Sequence, residues 1–160
     1  SISFIGMAGC GKTTIGRLFS IKHGINFIDT DHLIEKRLNK TLQDIKDEKG
    51  YMYLREIEQE IVLAISASIQ IISTGGSVIY SEKAIAHLKQ ISSVVFIDTP
   101  YKLINKRIGD ASKRGFSAPD GFSVKEAFDE RMPLYQKHQD FTVDGTNSAD
   151  YIIKSIEQWI

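Results

Sequence analysis

The run Gly6-Met7-Ala8-Gly9-Cys10-Gly11-Lys12-Thr13-Thr14 carries the pattern GxxxxGK[ST] from Gly6 to Thr13. Phosphate chemistry asks for these residue types at this spacing. Glycines let backbone N–H groups turn inward around phosphate oxygens, a lysine reaches the β/γ-phosphates, and a hydroxyl holds Mg²⁺. The flanks agree with that reading. Ile2-Ser3-Phe4-Ile5 alternates as a strand before the loop, and Ile15, Leu18, Phe19 and Lys22 recur at helical spacing after it. Such a helix points its positive end at the anion. The stretch therefore predicts a nucleoside triphosphate site. Cys10, flanked by Gly9 and Gly11 and next but one to Lys12, predicts a reactive thiol whose alkylation blocks nucleotide binding and which nucleotide protects.

Other groups suggest chemistry less directly. Asp29-Thr30-Asp31 sets two carboxylates beside a triphosphate loop, where they repel the nucleotide unless Mg²⁺ or a hydroxyl donor intervenes. Asp31 also precedes a helical repeat, so capping that helix is its plainer job. As base or as orienting group both roles stay open for it, because a loose phosphoryl-transfer transition state makes base strength less decisive. Arg55 and Glu58 lie three apart and, taken alone, pair on a solvated helix face. Arg114 sits mid-loop among Lys113, Gly109, Gly115 and Gly121, which suits a cation on a closing lid as well as a solvated basic loop. Val94 to Asp98 reads as an apolar strand ending in a carboxylate, a pattern P-loop ATPases use for Mg²⁺. Thr99-Pro100 starts a helix at once, which gives Asp98 a structural role instead. His23, His32, His87 and His138 show no metal-ligand spacing.

Strands and helices must alternate to position these groups. A helix over Lys12 to Lys22 ends at His23-Gly24, and Asn26 to Asp29 is a second strand. Leu33, Ile34, Arg37 and Leu38 mark a helix; Thr41 caps another that closes before Gly50. A long helix runs from Tyr51 to Ser68 with Leu54, Ile57, Ile61, Ala64 and Ile65 as its buried stripe. Ile69 to Ser73 is the third strand and ends in Thr74-Gly75-Gly76-Ser77. Ser81 to Lys89 is helical, and Ser93 to Asp98 is a strand buried on both faces. Thr99 caps the next helix, Pro100 lies in its first turn, and it fades at Ile108-Gly109. Residues 109–123 show no periodicity, and a loop of that length is functional or disordered. Val124 to Gln136, Phe141 to Asp144 and Ser148 to Ile160 complete the pattern as helix, strand and helix. The result is an α/β chain with a parallel sheet between two helical layers.

With 160 residues the chain reads as one domain able to bury a core unaided. Its 20 basic and 20 acidic residues balance, so no global field draws nucleic acid or an anionic membrane. A single cysteine excludes an intrachain disulfide framework and a cysteine-rich metal site. No apolar run reaches the length of a membrane span. No signal or transit segment is read before Ile2, the missing initiator Met points to trimming, and a reducing cytoplasm is the expected compartment.

With these motifs placed in order, the chain closely resembles the shikimate kinase family, P-loop kinases with the nucleoside-monophosphate-kinase type of fold. The resemblance spans essentially the whole chain. It is carried by GMAGCGKTTIG at 6–16, FIDTDHLIE at 27–35, YLREIE at 53–58, STGG at 73–76, Arg114, and ERMPLY at 130–135. It implies a three-layer α/β/α fold with five parallel strands in the order 2-3-1-4-5, and one domain over 1–160. A mobile lid at about 109–123 and an acceptor-binding region at about 31–60 come with it. It implies transfer of the γ-phosphate of ATP, with Mg²⁺, to the 3-hydroxyl of shikimate. Gly9, Cys10, Gly11, Lys12, Thr13 and Thr14 would hold the phosphates, with Arg107 beside adenine. Thr13, Asp29 and Ser73 would hold the metal. Asp31 would bind the reacting hydroxyls, Arg55 and Arg131 the carboxylate, and Gly75 and Gly76 would line the acceptor site. Lys12, Asp31 and Arg114 would be the catalytic groups. A cytoplasmic monomer is expected.

Two departures stand out. Ser77 replaces a third glycine common in the family, which narrows the acceptor wall or gives it a new hydrogen bond. Gly115 follows the lid arginine where proline is common, which predicts a looser lid. Two rivals stay open. Another small-molecule P-loop kinase, such as a gluconate kinase, differs in its acceptor. A nucleotide-dependent regulatory ATPase would depend on Asp98 instead of Asp29.

Overall fold

The computed structural model describes residues 1–109 and 115–160. In chain order the elements are β1 (Ile2–Ile5), α1 (Lys12–His23), β2 (Asn26–Asp29), α2 (Thr30–Leu38), α3 (Leu42–Lys49), α4 (Tyr51–Leu63) and β3 (Gln70–Ser73). A 3-10 turn at Val78–Tyr80 follows. Then come α5 (Glu82–Ile91), β4 (Ser93–Asp98), α6 (Tyr101–Ile108), α7 (Val124–His138), β5 (Phe141–Asp144) and α8 (Ala149–Trp159). The strands form one parallel sheet in the order β2-β3-β1-β4-β5, as the resemblance implied.

Register explains the three layers. Phe4 pairs with Val95 and Ile5 with Phe96, so adjacent residues of β1 serve opposite faces. On the Phe4 face α1 comes close: a Cβ added to Gly16 would touch Phe27, Ile71 and Phe4. On the other face the Phe96 ring stacks on Tyr135 of α7, centroids 5.3 Å apart. Central strands are buried throughout, since β1 and β3 have no exposed residue. Each strand runs toward one end of the sheet, and β1 sends its crossover to β2 on one side while β4 lies on the other. That switch point opens a crevice at the carboxyl ends of the strands.

Several boundaries move from the sequence expectation. Helix α4 stops at Leu63 instead of Ser68, and Ala64 is exposed. Ile65 turns back into the core with its N–H on the Val62 carbonyl, and Gln70 binds the Ser66 carbonyl through its side chain. Carbonyls past the helix end are thus satisfied by the Gln70 amide at Ser66 and the Ser1 hydroxyl at Ser68 instead of by a further helical turn. Ile69 is 77% exposed and lies outside β3. Thr99 does not cap α6; Pro100 is the capping residue, and the Thr99 hydroxyl donates to the Cys10 carbonyl at 3.3 Å. Helix α7 opens on a capping box between Ser123 and Glu126 and continues through Pro133 to His138.

Candidate active site

At the phosphate end, α1 begins at Lys12 with no side-chain cap and no acidic residue in its first turn. Its leading N–H groups are thus left for an anion. Gly9 and Gly11 hold φ of 79° and 110°, which only glycine adopts without strain. Lys12 is buried, and its Nζ donates to the carbonyls of Gly6 at 2.6 Å and Met7 at 2.9 Å. A phosphate oxygen offers the same ammonium a charged acceptor. Arg107 Nη1 donates to the Gly9 carbonyl at 3.1 Å, which ties α6 to the loop.

Cys10 differs from expectation. It is only 2% exposed, and its Sγ lies beneath the loop, 2.7 Å from where a Gly6 Cβ would stand. A thiol so placed fills the core under the loop, 3.8 Å from Lys12 Nζ.

The Thr13 hydroxyl donates to Asp29 Oδ2 at 2.8 Å and lies 3.3 Å from the Ser73 hydroxyl. The three residues expected at the metal therefore stand together, and their all-oxygen donor set suits Mg²⁺. Asp29 Oδ1 accepts from the His32 N–H at 3.2 Å, so Asp29, not Asp31, caps α2. Asp31 lies inside the first turn of α2, free of the capping job.

Loop, Asp31, Gly75, Gly76 and Arg131 line one cleft of about 570 Å³, along with Arg107 and Thr14. Glycine is needed at Gly75 and Gly76 because of close approach. A Gly75 Cβ would fall 2.4 Å from Glu58 Oε1 and 2.8 Å from Asp31 Oδ1; one on Gly76 would fall 3.2 Å from both Ala8 N and Arg131 Nη1. Those distances show how tightly the acidic pair, Arg131 and the phosphate loop crowd one wall. Burial pushes the Asp31 carboxyl up to about 7, helped by the charges of Glu58 and Asp29 and opposed by Lys12.

Arg55 and Glu58 do not pair. Glu58 turns inward, where burial raises its pKa; its Oε2 accepts from the Ser77 hydroxyl at 2.8 Å, while Oε1 has no partner among the described residues. Ser77 thus gives the acceptor wall a new hydrogen bond. Arg55 Nη2 donates to the Ser117 carbonyl at 3.0 Å, and Arg131 Nη2 donates to the same oxygen at 2.7 Å. Two guanidinium groups meet on one oxygen. Gly115 does not dangle: at φ 60° its N–H donates to Gln43 Oε1 at 2.7 Å, and a Cβ there would fall 2.4 Å from the Leu42 carbonyl carbon. Proline could not adopt that φ.

Arg114 lies outside the described residues. Asp98 is not among the residues lining the cleft; its carbonyl accepts from Gly145 N–H, and partial burial with the nearby Asp144 charge raises its carboxyl pKa. Sequence reasoning gave no role to Tyr80 or to the Ser117 carbonyl, and it read Glu58 as a surface partner. An acidic residue one turn after Arg55 on a helix with buried Leu54 and Ile57 was the available signal for Glu58. A backbone carbonyl gives no such signal.

Known proteins extend the comparison. The family model for shikimate kinase matches residues 8–160. The shikimate kinase of Clostridium beijerinckii is 35% identical over 162 residues, covering 99% of this chain and 94% of its own. The crystal structure of the Aquifex aeolicus shikimate kinase superposes with a TM-score of 0.85 at 32% identity, covering 98% of this chain and 94% of its own. A structure of the Acinetobacter baumannii enzyme in complex with shikimate gives a TM-score of 0.82 at 27% identity, covering 99% of this chain and 90% of that one.

Proposed function

The chain belongs to the shikimate kinase family, and from that premise we propose how its own residues phosphorylate shikimate at the expense of ATP. ATP is the phosphoryl donor and the 3-hydroxyl of shikimate the acceptor, giving ADP and shikimate 3-phosphate. Lys12 leaves its two loop carbonyls for the β/γ-phosphates, and the N–H groups of Gly9, Gly11, Thr13 and Thr14 surround the phosphate chain, while that of Cys10 donates to the Met7 carbonyl and holds the loop's shape. Arg107 stands beside adenine. Thr13, Asp29 and Ser73 would hold Mg²⁺, directly or through water, and the ion would neutralise charge on the phosphates.

Asp31 takes the hydrogen bond of the reacting hydroxyl. Raised to about 7, it can also accept the proton as the new ester bond forms. Arg55 and Arg131 bind the acceptor's carboxylate, with Gly75 and Gly76 as the wall that lets the ring come close. The observation that carries this assignment is the convergence of both guanidiniums on the carbonyl of Ser117, which lines the cleft with Lys12 and Arg131, while Arg55 lines the adjoining pocket with Glu58, Ser77 and Tyr80. A carboxylate oxygen is the stronger acceptor for the same donors. Shikimate therefore replaces Ser117, and the segment carrying it withdraws. Residues 109–123 act as the lid, Arg114 stabilises the moving phosphoryl group, and residues 31–60 form the acceptor region of a single kinase domain. The protein works as a cytoplasmic monomer.

Coupled measurement of ADP release over a panel of hydroxy acids tests the reading. Shikimate should drive release at least tenfold above the rate without acceptor, and gluconate should not. Equal release with and without shikimate would refute it.

A further inference from the structure

Among the described residues, no carboxylate holds either of these arginines directly. No acidic side chain forms an ion pair with Arg55 or Arg131 among the described residues. Arg131 is almost fully buried, and the Arg55 Nε is buried without a hydrogen-bond partner among the described residues. Two like-charged guanidiniums converging on one carbonyl repel each other, so something must fix them.

Tyr80 touches both. Its ring centre lies 3.9 Å from Arg55 Cζ and 5.5 Å from Arg131 Cζ. Its hydroxyl accepts from Arg131 Nε at 3.4 Å and donates to Glu130 Oε1 at 2.5 Å. Tyr51 adds a second ring 4.9 Å from Arg55 Cζ and Phe116 one 4.6 Å from Arg131 Cζ, but among the described residues Tyr80 is the ring that stands against both. The 3-10 turn after the Gly75-Gly76 wall is what delivers Tyr80 to this point.

We propose that Tyr80 is a positioning residue that locks Arg55 and Arg131 into a single fork for the acceptor's carboxylate. The chemistry fits the two contacts. Stacking against Arg55 uses the face of the guanidinium and leaves its in-plane N–H donors to the ligand. The hydroxyl binds Arg131 through Nε and leaves both terminal nitrogens for the carboxylate. Burial and the Glu130 carboxylate keep the phenol protonated, so it donates to Glu130 while accepting from Arg131. Glu130 thereby places its charge near both arginines at one remove, without occupying the donors a substrate needs. A direct ion pair would compete with the ligand; this relay does not.

The inference rests on the reading that these arginines bind the acceptor's carboxylate, and the experiment separates the two. Steady-state kinetics would compare Tyr80→Phe, Tyr80→Leu, Arg55→Ala and the double variant Tyr80→Leu/Arg55→Ala, each checked by its melting temperature. Tyr80→Phe keeps the stack and loses both hydroxyl bonds, but only the long one reaches a ligand-binding arginine, so the KM for shikimate should rise about threefold, the modest loss expected for one long hydrogen bond. Tyr80→Leu removes both contacts and should raise it about 10- to 30-fold, in the range of a desolvated cation–π contact plus that bond. For both, kcat and the KM for ATP should stay within about twofold, and Tyr80→Leu should cost much less in the Arg55→Ala background. If Arg55→Ala raises the shikimate KM but both Tyr80 variants leave it unchanged, the positioning role is wrong. A parallel fall in kcat and in ATP affinity would make Tyr80 merely structural and overturn it too. If Arg55→Ala itself leaves the shikimate KM unchanged, the carboxylate assignment fails and takes this inference with it.

Discussion

At the phosphate end of the cleft, Gly9, Gly11, Lys12 and Thr13 come from one uninterrupted run between β1 and α1. At the end proposed for the acceptor, Asp31, Gly76 and Arg131 line the cleft and Arg55 the adjoining pocket, and they come from α2, a turn after β3, α7 and α4. The first end is local: once the strand, the glycines and the helix form, backbone donors face the anion. The second exists only when the sheet has brought four separate elements together. The first end thus depends on backbone dihedrals, and the second on packed side chains such as Tyr80, Glu58 and Arg131.

If the two ends are separable in this way, substitutions should split them. The largest effect is expected for Lys12→Ala. Losing the lysine should lower kcat by about 10²–10³-fold, as for removal of a key donor to transition-state charge. Shikimate binding by calorimetry should survive. Loss of shikimate binding as well would show that the ends are one cooperative unit.

Next in size, Arg55→Ala should raise the KM for shikimate by about 10- to 100-fold, in the range of a charge-assisted hydrogen bond, and leave the KM for ATP unchanged. Arg131→Ala should act in the same direction but also lower stability, because Arg131 is among the largest fully buried side chains. Melting curves beside the kinetics would separate the two effects.

The same contrast explains what the sequence made legible. The phosphate loop, β2, β4, β5 and the cap at Thr41 follow from local rules of spacing, turn chemistry and hydrogen bonding, and they stand where expected; the last helix starts one residue later than expected, with Ser148 as its cap. The Asp29 cap was misassigned by two positions because both aspartates precede the same apolar repeat, and only geometry shows which oxygen reaches the His32 N–H. Glu58 looked like a surface partner of Arg55, since helical spacing gives neighbours but not which neighbour turns into the core. Tyr80 and the Ser117 carbonyl depend on tertiary approach, and no local rule carries that: Arg55 reaches Ser117 across 62 positions, and Arg131 reaches Tyr80 across 51.

A smaller effect should come from Gly115→Ala. At φ 60°, with the Leu42 backbone in the way of a Cβ, the variant gains strain of about 1–3 kcal/mol unless the segment undocks. Undocking frees both arginines from Ser117, so the KM for shikimate should fall severalfold and amide exchange at residues 115–118 should quicken. An unchanged KM with faster exchange would mean that Ser117 does not compete with the acceptor.

Glu58→Gln should have the mildest signature, in stability. Because burial raises the folded pKa of Glu58, its ionisation opposes folding. That penalty is absent below the ordinary carboxylate value of 4.5 and grows as pH rises through the raised folded value. The amide removes the charge while keeping an acceptor for Ser77, so the variant should melt higher than the parent at pH 8 and no higher at pH 4. The opposite trend would mean that Glu58 is stabilised as an anion.

In the proposed reaction the phosphates and the acceptor's carboxylate are held at opposite ends of the site at the same time. Calorimetric titration of shikimate, and of its neutral carboxamide, with and without a non-hydrolysable ATP analogue tests it most directly. The acid should bind in both cases, and the amide about 10- to 100-fold more weakly in both, as the loss of charge-assisted bonds predicts. Equal binding of acid and amide, or exclusion of shikimate by the nucleotide, would contradict it.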